Sequence, residues 1–304
     1  MTSDLSDAAV RSQLTRMLNQ DIADSSVRDY EEGPRTHLGA SIMGKPCKRQ
    51  AWGTFRWLKH ETFSGRMHRL FKRGHREEPH FIERLRACGF TVYEHDPETG
   101  KQFRIVGANG HYGGSGDGLG YAPPHYGLTE ALVFEFKTHN EKSFAKLAGK
   151  IVTKQPDIVR KDGEGVKKSK PEHFAQMSQY GKAYNLRYSL YCAINKETDE
   201  IYIEWVVLDW TLAERLYRDA EYIVNSRVPP PKIAESIAFF DCKYCAQGKI
   251  CHAGEKPDVN CRSCKFAIAI ENAEWWCELH SPEANAPIPK DVIPKACPSW
   301  QSIV

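Results

Sequence analysis

The chain has 304 residues, 41% of them hydrophobic and 27% charged, with a formal net charge of +3. That is enough apolar material for a sizeable core, and no apolar run approaches the length of a membrane span, which argues against a helical membrane protein. Residues 1–7 show no basic region followed by an apolar stretch, so no secretory signal is expected, and in a cytoplasmic chain the ten cysteines point to metal ligation rather than disulfides.

Residues 5–20 (Leu5, Val10, Leu14, Leu18) have the spacing of a short amphipathic helix. Residues 21–46 carry Gly33, Pro34, Gly39, Gly44 and Pro46 and read as loop. A helix is expected over 48–60, with Cys47 at its entrance. From Lys45 to Arg76 there are ten Lys/Arg against one acid, Glu61, so the rest of the chain is net acidic. Trp52, Phe55, Trp57, Phe63 and Phe71 are interleaved with those charges. Basic side chains plus stacking aromatics suit a nucleic-acid track, although a charge run also suits a solvated face. Residues 64–87 form the strongest helical pattern (Leu70, Phe71, Phe81, Ile82, Leu85), stopped by Gly89. On that helix His75 and Glu78 are three apart and share a face.

Strands are expected over 90–95 and 102–107. Next comes His111-Tyr-Gly-Gly-Ser-Gly-Asp117, a Gly/Pro-rich return, and Leu132-Val-Phe-Glu135-Phe136-Lys137. Alternation on the second run puts Glu135 and Lys137 on one face and Phe134 and Phe136 on the other. A hairpin-like return brings Asp117 beside that face. Two carboxylates and an ammonium at one point suit a divalent cation and an activated water. Residues 139–172, with Pro156, Gly163 and Gly165, read as irregular and basic, with nine Lys/Arg against five acids. A helix over 171–186 starts at Pro171 and carries Gln176 and Tyr180 four apart. Strands at 188–195 and 201–208 and a helix at 209–226 follow, ended by Pro229-Pro-Pro231.

Beyond the prolines lie two cysteine sets. Cys242, Cys245 and Cys251 form C-x₂-C-x₅-C, three thiols without a local fourth. Cys261, Cys264 and Cys277 form C-x₂-C-x₁₂-C, and Cys297 follows. The second set reads as a structural zinc site, with His280 as a substitute for Cys297, in a stretch too short to fold without a staple. Cys88 and Cys192 sit in apolar contexts and are expected in the core.

Asp117, Glu135-x-Lys137, then Gln176-x₃-Tyr180 resemble, in this order, the motifs of the PD-(D/E)xK nuclease superfamily and its RecB-like branch. Cys47 with the C-terminal Cys242, Cys245 and Cys251 is similar to the iron–sulfur staple of the CRISPR-associated and AddB-type nucleases of that branch. The Pro before the Asp is replaced by Gly116, and the second cysteine set lies outside the family pattern. The resemblance implies an α/β restriction-endonuclease-like core, a mixed central sheet flanked by helices, with a C-terminal cysteine-rich metal-binding module. It divides the chain into a basic helical region (1–62), the nuclease core (63–228), a cluster segment closing on Cys47 (229–256) and a zinc-type module (257–304).

The implied activity is a Mg²⁺- or Mn²⁺-dependent deoxyribonuclease, an exonuclease acting on DNA ends or single strands in recombination, repair or phage DNA metabolism. Asp117, Glu135 and the Phe136 carbonyl would hold the metal and Lys137 would position the water. His75 or Glu78 would complete the site, and Gln176 and Tyr180 would contact the strand. A [4Fe–4S] cluster would take Cys47, Cys242, Cys245 and Cys251, with zinc as the alternative there. DNA is the expected partner, with recombination or repair proteins beside it, in a bacterial or phage-infected cytosol. Two other readings are a DNA-binding protein that does not cleave and a redox-sensing iron–sulfur protein on the same scaffold.

Overall fold

A computed structural model describes residues 5–29, 33–154, 157–280 and 286–304. Residues 1–4 of the amino-terminal reading and Pro156 of the basic segment lie outside the described residues. No helix of the described residues is long and apolar enough to cross a membrane.

Helix α1 runs over Ala8–Arg28, well past the expected end at 20, starting where the Asp7 carboxylate accepts the Ala9 N–H. The loop expected over 21–46 therefore contains its last two turns, and also the short strand β1 (Leu38–Gly39) and the single turn α2 (Ala40–Met43). Helix α3 (Lys48–Phe55) is capped by the Cys47 sulfur, which accepts the Gln50 N–H. Helix α4 (Gly65–Ala87), capped by Ser64, coincides with the strong periodicity at 64–87. Strands β2 (Thr91–Tyr93), β3 (Arg104–Gly107), β4 (Tyr112–Ser115), β5 (Gly118–Tyr121) and β6 (Leu132–His139) follow.

The segment 139–172 is not irregular. It folds as α5 (Glu141–Ala148), the hairpin β7 (Gly149–Thr153) and β8 (Val159–Asp162), and α6 (Gly165–Ser169). Arg160 pins the hairpin. Its guanidinium donates to both Glu141 oxygens (3.0 and 2.7 Å) and both Glu200 oxygens (2.7 and 2.8 Å), and lies over the Phe144 ring. The chain closes with α7 (Pro171–Ala183), β9 (Tyr188–Asn195), β10 (Ile201–Val207) and α8 (Trp210–Asn225). Beyond these lie the short elements α9 (Phe240–Lys243), α10 (Gly248–Ala253), β11 (Ala267–Ala269) and β12 (Trp275–Cys277).

The fold is mixed α/β. Five strands form a mixed sheet in the order β10-β9-β6-β5-β2, with β6 parallel to β9 and the other pairs antiparallel. The strand expected at 102–107 does not join it. As β3 it pairs with β4, which pairs with β1, in a separate sheet. The chain crosses from one sheet to the other at Gly116 and Asp117, between β4 and β5. Gly120 is required where β5 meets β2, since a Cβ there would lie 1.9 Å from the Thr91 carbonyl.

Alternation along β6 splits the core. Leu132, Phe134 and Phe136 pack with Phe81, Ile82 and Leu85 of α4 and with Phe90 and Val92. Val133 belongs to the opposite cluster, with Tyr191, Ala193 and the α7 residues Met177 and Tyr180. That second cluster continues through Trp52 and Phe55 to Cys264, Ala267, Trp275 and Ile293, so residues 257–304 share the main core.

Phe81 is stacked on Phe136, with ring centroids 5.4 Å apart, and is 5% exposed. Phe81→Ala is expected to cost about 3–5 kcal/mol of stability, the range for deleting a buried aromatic ring. Chemical denaturation measures it, and a cost under about 1 kcal/mol would mean that α4 is not clamped to the sheet through this ring.

Candidate active site

The β5–β6 register pairs Gly118 with Phe134 and Leu119 with Val133. One further step sets Asp117 opposite Glu135. There Asp117 Oδ2 accepts the Phe136 N–H at 2.9 Å. Lys137 Nζ lies 2.5 Å from Glu135 Oε1 and 3.5 Å from Asp117 Oδ2, and donates to the Phe136 carbonyl at 3.0 Å. One ammonium thus sits among three oxygen-bearing groups from two adjacent strands. Asp117 and Lys137 keep partial access to solvent, at 16% and 25% side-chain exposure, while Glu135 has none.

Glu135 sets the electrostatics. Its side chain is wholly out of solvent, and Lys137 pairs with Oε1 at close range. Burial pushes its carboxyl up to about 7 against the pull of Lys137, and Asp117 and Glu78 push the same way. Burial also works against the Lys137 charge, but Asp117 and Glu135 outweigh it and hold the ammonium above its ordinary range.

From α4, Glu78 joins this group. Burial and the Asp117 charge raise its carboxyl, whereas His75 and Lys137 lower it. His75 Nδ1 lies 3.3 Å from Glu78 Oε1 on the outer side of the helix, two-thirds exposed. The candidates His75 and Glu78 are therefore stacked, with Glu78 nearer the strands. Among the described residues no group of three or more His, Cys, Asp or Glu side chains, the two cysteine sets included, is placed to hold a metal ion.

Helix α7 covers the Glu135 face. Tyr180 is buried and donates its hydroxyl to the Ser115 carbonyl at 2.7 Å, just before the Asp117 corner. Gly114 leaves room for it, since a Cβ there would lie 2.6 Å from the Tyr180 oxygen. Tyr180 thus fixes the corner, with its hydroxyl engaged by backbone rather than held out toward a substrate. Gln176, one turn earlier, is half-buried. Gln179, the residue before Tyr180, is wholly buried and ties α7 to the Ala40 carbonyl and the Tyr112 hydroxyl.

Two features beside the site escape the motif reading. Tyr191, opposite Glu135 on β9, has its hydroxyl 2.9 Å from both His139 Nε2 and His173 Nδ1. Burial, with help from Lys170 and Lys137, takes His139 down to about 4, and burial with Lys137 takes His173 lower still. With a single proton, the hydroxyl can donate to only one of the two rings. Second, Arg73 of α4 donates to the Lys196 carbonyl at 3.0 Å, and the Lys196 N–H donates to the His139 carbonyl at 2.8 Å. This places two cations at the carboxyl end of β6. His139 was legible in principle, being two residues past Lys137 on the same strand face. Tyr191 and Lys196 depend on the β6–β9 pairing, which no local pattern gives.

None of the ten cysteines is in a disulfide. Cys47, Cys242, Cys245 and Cys251 line one pocket, together with His252. Burial, then Cys297, Cys264 and Cys277, push the Cys261 thiol up to about 11. His280 Nε2 lies 3.5 Å from Cys297 Sγ. Cys192 is buried as expected, but Cys88 is exposed, because it caps the carboxyl end of α4 instead of facing the sheet.

No family model matches the chain, and no curated protein matches it. Among solved structures it is similar to SSO0001, at 15% identity and a TM-score of 0.40, over 79% of this chain and 98% of that one. It is also similar to the alkaline exonuclease LHK-Exo from Laribacter hongkongensis. The structure of that protein with dAMP matches at 14% identity and a TM-score of 0.40, and another at 13% and 0.38, each over 67% of this chain and 90% of that one. Likeness of this order assigns neither a family nor an activity.

The raised Glu135 carboxyl has a consequence for stability. In the metal-free protein the folded state keeps this proton up to about pH 7, whereas the unfolded chain releases it near 4.5. The stability it contributes is present below 4.5 and is lost as pH rises through about 7. Urea denaturation in chelator across that range should show wild type losing stability relative to Glu135→Gln. A pH-independent difference would mean that the carboxyl is not desolvated.

Proposed function

We propose that this chain is a metal-dependent deoxyribonuclease of the PD-(D/E)xK type, an exonuclease that hydrolyses phosphodiester bonds at DNA ends or in single strands. The observation that carries this reading is the wholly buried Glu135 beside Asp117 and the Phe136 carbonyl, with the Lys137 ammonium lodged among them. Two carboxylates and a carbonyl are a hard-oxygen set suited to Mg²⁺ or Mn²⁺, and the ammonium stands in for the cation. The fit is good: two acids, one of them wholly buried, face a single ammonium, so the corner carries more negative charge than Lys137 offsets.

Asp117, Glu135 and the Phe136 carbonyl would hold the metal. When bound, it would polarise the phosphoryl oxygen and make a water nucleophilic near neutral pH. Lys137, on the same face as Glu135, orients that water and offsets phosphate charge. Glu78 is a better further metal-facing side chain than His75, because Asp117 and Lys137 both act on its carboxyl. Gln176 is the α7 residue left to contact the strand, while Tyr180 works as a positioning residue through Ser115. Arg73 and Lys196 supply positive charge for the DNA backbone at the edge of the site.

The cysteines extend the reading. Four thiols around one pocket suit a [4Fe–4S] cluster at Cys47, Cys242, Cys245 and Cys251, which would tie α3 to the segment after the prolines. Cys261, Cys264, Cys277 and Cys297 suit structural zinc.

The test is cleavage of end-labelled linear and closed-circular DNA with Mg²⁺, Mn²⁺ or chelator. Wild type should degrade linear DNA only with metal and spare the circle. Lys137→Ala should lower the rate by about 100-fold or more while DNA binding persists. Undiminished cleavage by Lys137→Ala would sink the assignment. Metal-independent DNA binding without cleavage by wild type would favour a non-cleaving DNA-binding protein.

A further inference from the structure

The basic run at 45–76 does not form one nucleic-acid track. Trp52 and Phe55 are 0% and 1% exposed, so neither offers a face for a base. Several of the cations are engaged within the fold. Lys59 pairs with Glu255 at 2.8 Å, Lys72 pairs with Asp29 at 3.3 Å, and Arg49 donates to the Pro230 carbonyl at 3.0 Å. Lys45 and Lys48, at the start of the run, instead line a groove of about 750 Å³ walled by α2, α6, α7 and α8.

The groove joins a basic rim to an apolar floor. Lys45, Lys48, Lys167, Arg215 and Arg218 line it, with two acids, Asp209 and Asp219. Both acids are engaged. Asp219 pairs with Lys48 at 2.5 Å, and Asp209 caps α8 by accepting the Leu212 N–H at 2.9 Å. Lys45, Lys167, Arg215 and Arg218 have no carboxylate partner among the described residues. Between these cations the groove keeps apolar surface open, with Ile42 and Leu212 half-buried and Pro46 and Pro171 exposed.

Four unpaired cations around one groove fit an anionic occupant, and the open apolar positions fit one that also carries apolar side chains. A DNA strand meets only the first condition. Its bases need exposed aromatic faces, and the ring that lines this groove, Phe174, is 4% exposed beneath the Lys167 ammonium. The groove also stands apart from the Asp117 corner. Asp117, Glu135 and Lys137 are not among its lining residues, and α7 presents Pro171 and Ala175 to the groove while Tyr180 bonds the Ser115 carbonyl. We propose that this groove docks an acidic, amphipathic segment of a partner protein. Its carboxylates meet Lys45, Lys167, Arg215 and Arg218, and its apolar side chains seat on Ile42, Leu212 and the two prolines. A partner held there leaves the Asp117 corner open. The inference goes beyond the nuclease reading and does not rest on it.

The experiment uses the full chain and fluorescence anisotropy. The probes are a short labelled peptide that alternates aspartate with leucine and phenylalanine, the same peptide with serine for the apolar residues, and a labelled single-stranded thymidine oligonucleotide. Wild type is expected to bind the first peptide saturably and the serine peptide about 10-fold more weakly. The double variant Arg215→Glu, Arg218→Glu changes two exposed side chains. It should keep the wild-type circular dichroism spectrum and oligonucleotide affinity and bind the first peptide about 10-fold or more weakly. No binding of that peptide by wild type, or equal binding by wild type and the variant, overturns the proposal. Equal binding of the two peptides overturns the amphipathic character of the occupant. Displacement of the peptide by the oligonucleotide, or loss of oligonucleotide binding in the variant, gives the groove to nucleic acid and overturns the proposal too. All arms run without added Mg²⁺ or Mn²⁺, so failure of the nuclease reading leaves them unaffected.

Discussion

Glu135 sits on the middle strand of a five-stranded sheet, wholly buried. A carboxylate taken out of water costs several kcal/mol unless positive charge answers it, and two strands and two helices are arranged around that demand. Lys137 answers it from the same strand face. Asp117 reaches it because β5 runs antiparallel to β6 and the chain bends there between two sheets. Phe134 and Phe136, pointing the other way, anchor the strand on α4, and α4 carries Glu78 back to the same point. The charged face and the apolar face of β6 thus depend on one another.

The corner at Asp117 shows how local sequence is put to use. In the glycine-rich run at 113–120 the glycines serve packing. Gly114 makes room for the Tyr180 hydroxyl and Gly120 for the Thr91 carbonyl. Tyr180 then fastens the backbone beside Asp117. Its hydroxyl bond to Ser115 makes Tyr180 part of the frame around the acid.

Much of this is legible in the chain. Period-two alternation at 132–137 separates Glu135 and Lys137 from their aromatic neighbours, and the 3.6-residue period marks α4 and α7 to within a few residues. What is not legible depends on distant partners. The strand at 104–107 looks like a neighbour of β2, yet the bend at Gly116 sends it to another sheet with β1. The segment 139–172 reads as loop from its charge, and folds because Arg160 meets Glu141 and Glu200 across the structure. Tyr191, His139 and His173 converge only through the parallel pairing of β6 and β9. The cysteines are a middle case, since spacing groups the local thiols but only the fold brings Cys47 to the others.

The account turns on Glu135 being held for a cation. Manganese binding to the full chain, followed by loss of the free ion's paramagnetic resonance signal, tests this directly, because thiolate sites do not suit Mn²⁺ and oxygen sites do. Wild type is predicted to take up the ion, and Glu135→Gln, equal in size and neutral, to lose that uptake while staying folded. Equal uptake by the two proteins would contradict the assignment of this corner as the metal site.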